Sequence, residues 1–142
     1  MAEATEEATN ELFAWQIGIL PQVALAPIDP ETVYRQIWAG LSADESIVLT
    51  ARSEGTLVGS LCLYEAQFAY SRETFLRDKW FAVDPGAEGA GKALLRAAAD
   101  IAERMNKVLL ITRVNISKAL RSRGVIGATE GYIPLGKVLR IR

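Results

Sequence analysis

Trp80-Phe81-Ala82-Val83-Asp84-Pro85-Gly86-Ala87-Glu88-Gly89-Ala90-Gly91-Lys92 joins a strand end, a chain breaker and a nearly side-chain-free run that opens a helix. Thr74 to Val83 has strand composition, and Asp84-Pro85-Gly86 stops it with strong turn chemistry. From Gly86 to Gly91 every residue except Glu88 is small, so a ligand can approach the backbone closely. The N–H groups of such a loop sit at the positive end of the helix dipole, which suits a phosphate without any basic side chain. The alternative is that the glycines only solve a helix–strand packing problem. The loop is not a P-loop, because no Ser or Thr follows Lys92. Nor is it a dinucleotide fingerprint, since its strand arrives from a hairpin rather than opening a βαβ unit.

Downstream, Leu94, Leu95, Ala98, Ile101, Ala102 and Met105 recur on one helical face. Lys92, Arg96, Asp100, Glu103 and Lys107 fall mostly on the other, which predicts a long amphipathic helix. Val108 to Thr112 is a continuous apolar run, expected as a strand buried on both faces. Ser117 to Arg123 reads as a short helix stopped by Gly124. Val125–Ala128 and Val138–Ile141 read as final strands. Upstream, Ile47–Ala51 and Thr56–Phe68 flank the Glu54-Gly55 turn as a hairpin. Asp29-Pro30 is a helix start with an Asp cap, and its apolar stripe of Val33, Ile37 and Trp38 is expected to stop near Gly40. Gln22–Ala26 is a strand candidate. Before it, Leu12, Phe13, Trp15 and Ile19 recur at helical spacing in a short amphipathic helix ended by Pro21.

The order β-α-β-β-β-α-β-α-β-β predicts an α+β (mixed α/β) domain: a mixed, mostly antiparallel, twisted sheet with helices on both faces. The expected organisation is an acidic N-terminal extension, residues 1–21, followed by the domain, residues 22–142. The full length of 142 residues suits one domain and buries a core without a disulfide or metal staple. Half of the residues are hydrophobic and 23% are charged, a globular composition. With one cysteine and no histidine, an intrachain disulfide, Cys- or His-based metal sites, Ser-His-Asp triads and Cys-His dyads are excluded. Acid–base chemistry therefore falls to carboxylates, Tyr, Lys, the thiol or water.

The net charge of −1 is unevenly spread: residues 1–45 hold eight acids and one base, residues 113–142 seven bases and one acid. The basic end favours a phosphate-bearing ligand or an acidic partner, or is a solvated face paired with the acidic start. The negative net charge and the lack of aromatics between those bases argue against nucleic acid. Ile17–Pro27 is too short to span a bilayer and is broken by Pro21, and the acidic start lacks the positive region of a secretory signal. No membrane partner and a cytoplasmic location are expected.

The loop and its flanks resemble the Gcn5-related N-acetyltransferase (GNAT) superfamily. Val83-Asp84-Pro85 matches that family's strand end, Gly89-Ala90-Gly91 its glycines, and Leu94-Leu95 its helix opening. Leu57-Val58-Gly59-Ser60 is similar to the family's hairpin, and Asn115, Ala119-Leu120 and Gly124 partly match its second motif. The likeness covers roughly residues 22–142. Gly86 stands where the family has Arg or Gln, Leu120 where it has tyrosine, and Val125 where it has an aromatic. Between the expected first and second strands there is room for one helix, where the family has two. That shortage implies an open acceptor site.

The resemblance implies acetyl-CoA as co-substrate, held between two splayed parallel strands, 74–83 and 108–112. Phe81, Ala82 and Val83 would pair with its pantetheine arm. Gly86, Ala87, Glu88, Gly89, Ala90, Gly91 and Lys92 would hold its diphosphate, with Asn115 contributing from the second motif. Lys118, Arg121 and Arg123 could meet the nucleotide's further phosphate. An amine would attack the thioester directly, which needs a base and a donor for the departing thiolate. Asp78, beside the cofactor, is the first base candidate and Glu65 the second; Tyr132 is the leading acid, with Tyr64 behind it. Cys62 reads as core rather than nucleophile, and Trp15, Trp38 and Trp80 as packing or interface aromatics.

Two functions fit these features. One is an acetyl-CoA-dependent N-acetyltransferase acting on an amine acceptor. The other is a catalytically degenerate relative that binds or assembles with a protein partner, or with itself, through its N-terminal extension.

Overall fold

The structure is a computed structural model that describes residues 2–22 and 26–111. In chain order it holds α1 (Ala2–Ile19), a 3-10 turn (Leu20–Gln22), α2 (Pro30–Ser42), β1 (Ser46–Ser53), β2 (Thr56–Gln67), β3 (Thr74–Val83), α3 (Glu88–Met105) and β4 (Leu109–Leu110). The expected helix at 117–123 and the strands at 125–128 and 138–141 lie outside the described residues. So do Asn115, Lys118, Leu120, Arg121, Arg123 and Tyr132, and most of the strand expected at 22–26.

The strands are ordered β1-β2-β3-β4, the first three antiparallel and β4 parallel to β3. Glu54 and Gly55, both at positive φ, form the two-residue turn whose twist matches that of the flanking strands. Helices cover both faces of this mixed sheet. On one face α3 lays Leu94, Ala98 and Ala102 on Leu61, Leu63, Leu76 and Leu109. On the other, α1 and α2 lay Leu12 and Ile37 on Leu57, Cys62 and Trp80. Each leucine buried in this way contributes about 1.5–3 kcal/mol. Met105, expected on the core stripe, is 38% exposed at the end of α3. Asn106, in the left-handed conformation, then ends the helix.

Three expectations change here. The first helix is 18 residues long rather than short. Alanines and glutamates at its start are good helix formers, and the acids complement the dipole. Its apolar stripe is not free for a partner: Leu12 and Ile19 are buried, Phe13 packs edge-on against Tyr34 of α2, and Tyr34 Oη donates to Asn10 Oδ1 at 3.1 Å. Two helices, α1 and α2, thus precede the first described strand, with only α2 between residues 22–26 and β1. Finally, Gly40 does not stop α2 but lies inside it. A Cβ there would stand 2.9 Å from Trp80 Cη2 and 3.1 Å from Cys62 Sγ, so this glycine admits the indole between helix and sheet.

Candidate active site

The site grows from the C-terminal end of β3. Asp84 N–H donates to Val58 O at 2.8 Å, and its carbonyl accepts Ala87 N–H at 3.0 Å, so the chain turns sharply there. Gly86 has φ +86°, a conformation that costs any side-chain-bearing residue about 1–2 kcal/mol. That is the physical reason a glycine stands where the resemblance would place Arg or Gln. Helix α3 then starts at Glu88 after Ala87, whose side chain makes no capping bond. Ala90 N–H already donates to Ala87 O at 2.9 Å, so the helix start leaves the N–H groups of Glu88 and Gly89 without an intrahelical acceptor.

The turn is not plugged by its neighbours. A Cβ built on Gly86 or Gly89 would meet nothing within 4 Å, whereas one on Gly91 would touch Val83 Cγ2 at 3.4 Å. The backbone is thus open at Gly86 and Gly89, while Gly91 packs against Val83 of β3. Ala87 and Ala90 are half-buried, and Lys92 is exposed on the helix flank. A groove of about 510 Å³ borders the turn, lined by Ala87, Gly89, Ala90, Ala93 and residues 49–53 of β1.

Beside the turn runs the free length of β3. Its pairing with β4 covers Leu76–Leu109 and Arg77–Leu110, supported by Leu76 N–H donating to Val108 O at 2.9 Å. Among the described residues no β4 partner continues past that point. Backbone groups alternate sides along a strand, and Asp84, paired with Val58, fixes the parity. Ala82 therefore faces β2, while Phe81 and Val83 turn their N–H and C=O groups to the open edge.

Asp78 is the first β3 residue beyond the last described β3–β4 pair, and it is only 3% exposed. Cys62 faces Trp80 and Leu63 faces Asp78, so Lys79 is an extra residue that bulges β3. The bulge switches the parity of the strand. Below it Leu76 faces α3; above it Trp80 faces α1 and α2, and Phe81 and Val83 face α3. The buried indole N–H of Trp80 is satisfied by Ser60 Oγ at 2.9 Å, which in turn donates to Leu49 O at 2.9 Å.

Glu65 lies opposite Leu76, so it is a diagonal neighbour of Asp78 on the same sheet face, about 7–8 Å away by strand geometry. The structure thus brings both carboxylate candidates to one face. Glu65 is already engaged: Thr74 Oγ1 donates to it at 3.0 Å and Lys107 Nζ stands 3.8 Å away. Tyr64 lies on the opposite face, with the Arg77 guanidinium over its ring at 5.8 Å. Cys62 is fully buried, and burial pushes its thiol up to about 12, which removes it as a nucleophile at neutral pH. Among the described residues no cluster of acids and cysteines could hold a metal ion, and no helix is long and apolar enough to cross a membrane.

Sequence reading missed Trp15. Its indole Nε1 donates to Asp84 Oδ1 at 2.9 Å across 69 residues of chain. One turn earlier on α1, Glu11 takes two bonds from the Arg52 guanidinium, at 2.7 and 2.8 Å. No local pattern marks either contact.

The family model described as Acetyltransferase (GNAT) family matches residues 9–124, a span that starts within α1. A ribosomal-protein-alanine N-acetyltransferase from Brucella melitensis biovar Abortus 2308 is similar in structure at a TM-score of 0.59. It shares 22% identity over 74% of this chain and 72% of that one. A predicted acetyltransferase from Clostridium acetobutylicum, solved with acetyl-CoA, gives 0.58 at 13% identity, over 86% and 81%. An aminoglycoside acetyltransferase from an uncultured soil sample, in complex with trehalose, gives 0.51 at 17%, over 84% and 80%. At these identities the likeness is one of fold. Among curated proteins, none matches the chain.

Proposed function

This chain belongs to the GNAT acetyltransferase family, and from that premise we propose that it moves an acetyl group from acetyl-CoA to an amine acceptor by direct attack. The observation that carries the reading is the start of α3, without a side-chain cap and open at Gly86 and Gly89, next to the part of β3 that no described residue of β4 pairs. The two surfaces suit the two ends of one ligand. Amides around Gly86–Gly89 would hold a diphosphate, and Phe81 and Val83 would extend the sheet along an amide-bearing arm. Acetyl-CoA supplies an acetyl group already activated as a thioester.

The chain's own residues then have definite tasks. The acceptor nitrogen must arrive neutral, so a carboxylate must take its proton as the new C–N bond forms. Asp78, buried just past the last described pair of β3 and β4, is the residue proposed for that step. Glu65, which holds Thr74 and Lys107, is the second candidate. When the C–S bond breaks, its electron pair leaves on sulfur and the thiolate needs a proton. Tyr132 is proposed as that donor, and Asn115 as a further cofactor contact, on the resemblance alone.

The alternative, a binding or assembly protein without catalysis, rests on Gly86 and Leu120 standing at family motif positions; the positive φ of Gly86 suits a glycine. The reading is tested by titrating acetyl-CoA while measuring heat and melting temperature. At 100-fold excess over the dissociation constant, binding should stabilise the fold by about 2.7 kcal/mol. No heat and no shift at millimolar acetyl-CoA would leave the assembly reading in its place.

A further inference from the structure

Asp84 occupies an awkward place for a site that receives an anion. It stands two residues before Gly86 and four before the first residue of α3. An aspartate there has a strong local alternative: its carboxylate can accept the N–H two residues on, in an Asx turn, or fold over the open helix start. Either arrangement would place a negative charge on the donors that a diphosphate needs.

The structure shows what prevents this. Trp15 Nε1 donates to Asp84 Oδ1 at 2.9 Å. Trp15 belongs to α1 and packs with Leu12 on the sheet face opposite α3. The carboxylate is therefore turned to the α1–α2 side, away from the glycine turn. The strap is itself anchored: Leu12 is 2% exposed, and Glu11 is bound twice by Arg52 at the end of β1. Asp84's backbone is fixed as well, through Val58 O and Ala87 N–H, so its side chain is the part left to choose.

We propose that Trp15 is a positioning residue for cofactor binding, which withholds the Asp84 carboxylate from the phosphate-binding amides of its own loop. The inference rests on the reading of the loop as a diphosphate site. It makes the first helix a determinant of cofactor affinity without any contact between that helix and the ligand.

The test is a double-mutant cycle in acetyl-CoA binding by calorimetry on the full chain, with melting temperatures measured alongside. Trp15→Phe keeps the ring and removes the donor, and should weaken binding about tenfold, the scale of one charge-assisted hydrogen bond. Asp84→Ala should bind as tightly as the parent or tighter. The double variant should return to parent affinity, a rescue that a merely structural strut cannot produce. If Trp15→Phe fails to fold, Asp84→Ala decides alone: weaker binding there overturns the proposal. Parent-like affinity in Trp15→Phe, or a double variant as weak as Trp15→Phe, overturns it too. Absence of binding by the parent defeats the diphosphate reading first and the proposal with it, a result distinct from a parent that binds and variants that do not differ.

Discussion

Replacing Gly89 by valine separates two quantities that mutations usually confound. A Cβ at this position meets no atom within 4 Å, so the side chain enters open space and disturbs no packing. Gly89 is the second residue of α3, where valine is a slightly better helix former than glycine, by a few tenths of a kcal/mol at most. The melting temperature should thus stay within about 2 °C of the parent, at roughly 3–4 °C per kcal/mol for a chain of this size. Binding should behave differently. The branched side chain would stand where a diphosphate must approach the uncapped amides, and it would remove one or two charge-assisted bonds. At about 1.5–3 kcal/mol each, that is roughly 3–6 kcal/mol for two, or two to four powers of ten in Kd. Calorimetry with acetyl-CoA reads the affinity, and thermal denaturation without ligand reads the fold. A folded variant with affinity within threefold of the parent would refute the placement of the diphosphate at this turn.

Other outcomes follow from particular contacts. Gly40→Ala pushes a methyl to 2.9 Å from Trp80 Cη2. Overpacking of this kind costs about 1–3 kcal/mol, against at most about 1 kcal/mol of gained helix propensity. Its melting temperature should fall, and a rise would show that the indole yields freely. Cys62 should resist thiol reagents in the native protein and react fully in denaturant. Burial raises its pKa from 9.0 to about 12, so the neutral buried thiol stabilises the fold fully below pH 9 and that contribution is lost as pH rises towards 12. Denaturant midpoints that stay level from pH 9 to 11 in the parent, matching Cys62→Ala, would count against that linkage. Asp78→Asn should lower turnover at least about a hundredfold with acetyl-CoA affinity unchanged, as for loss of a general base. Equal turnover would remove Asp78 as the base.

The parts of this molecule legible in its sequence are those whose cause is local. Strand β3 matches its expected bounds, Thr74–Val83, because Asp84-Pro85-Gly86 cannot continue a strand. The buried stripe of α3 follows from the period of Leu94, Ala98 and Ala102, and the first hairpin from Glu54-Gly55, whereas the helix starts at Glu88 and takes Gly89, Ala90 and Gly91 out of the expected loop into its first turn. The open backbone at Gly86 and Gly89 was visible for the same reason: access depends on which side chains are missing, and that is written residue by residue.

Tertiary structure decided the rest. Whether an amphipathic helix docks on its own domain or on a partner depends on what surface awaits it, and α1 was committed by Leu12, Arg52 and Asp84. The bulge at Lys79 has no distinctive residue, yet it decides that Trp80 faces α1 and α2 and Phe81 faces α3, because register is set by both strands together. Gly40 reads as a helix stop in one dimension and as room for an indole in three. Periodicity and turn chemistry act over a few residues and therefore survive in a string of letters. Which side chain holds Asp84 aside is a matter of two surfaces 69 residues apart meeting, and only the folded chain brings them together.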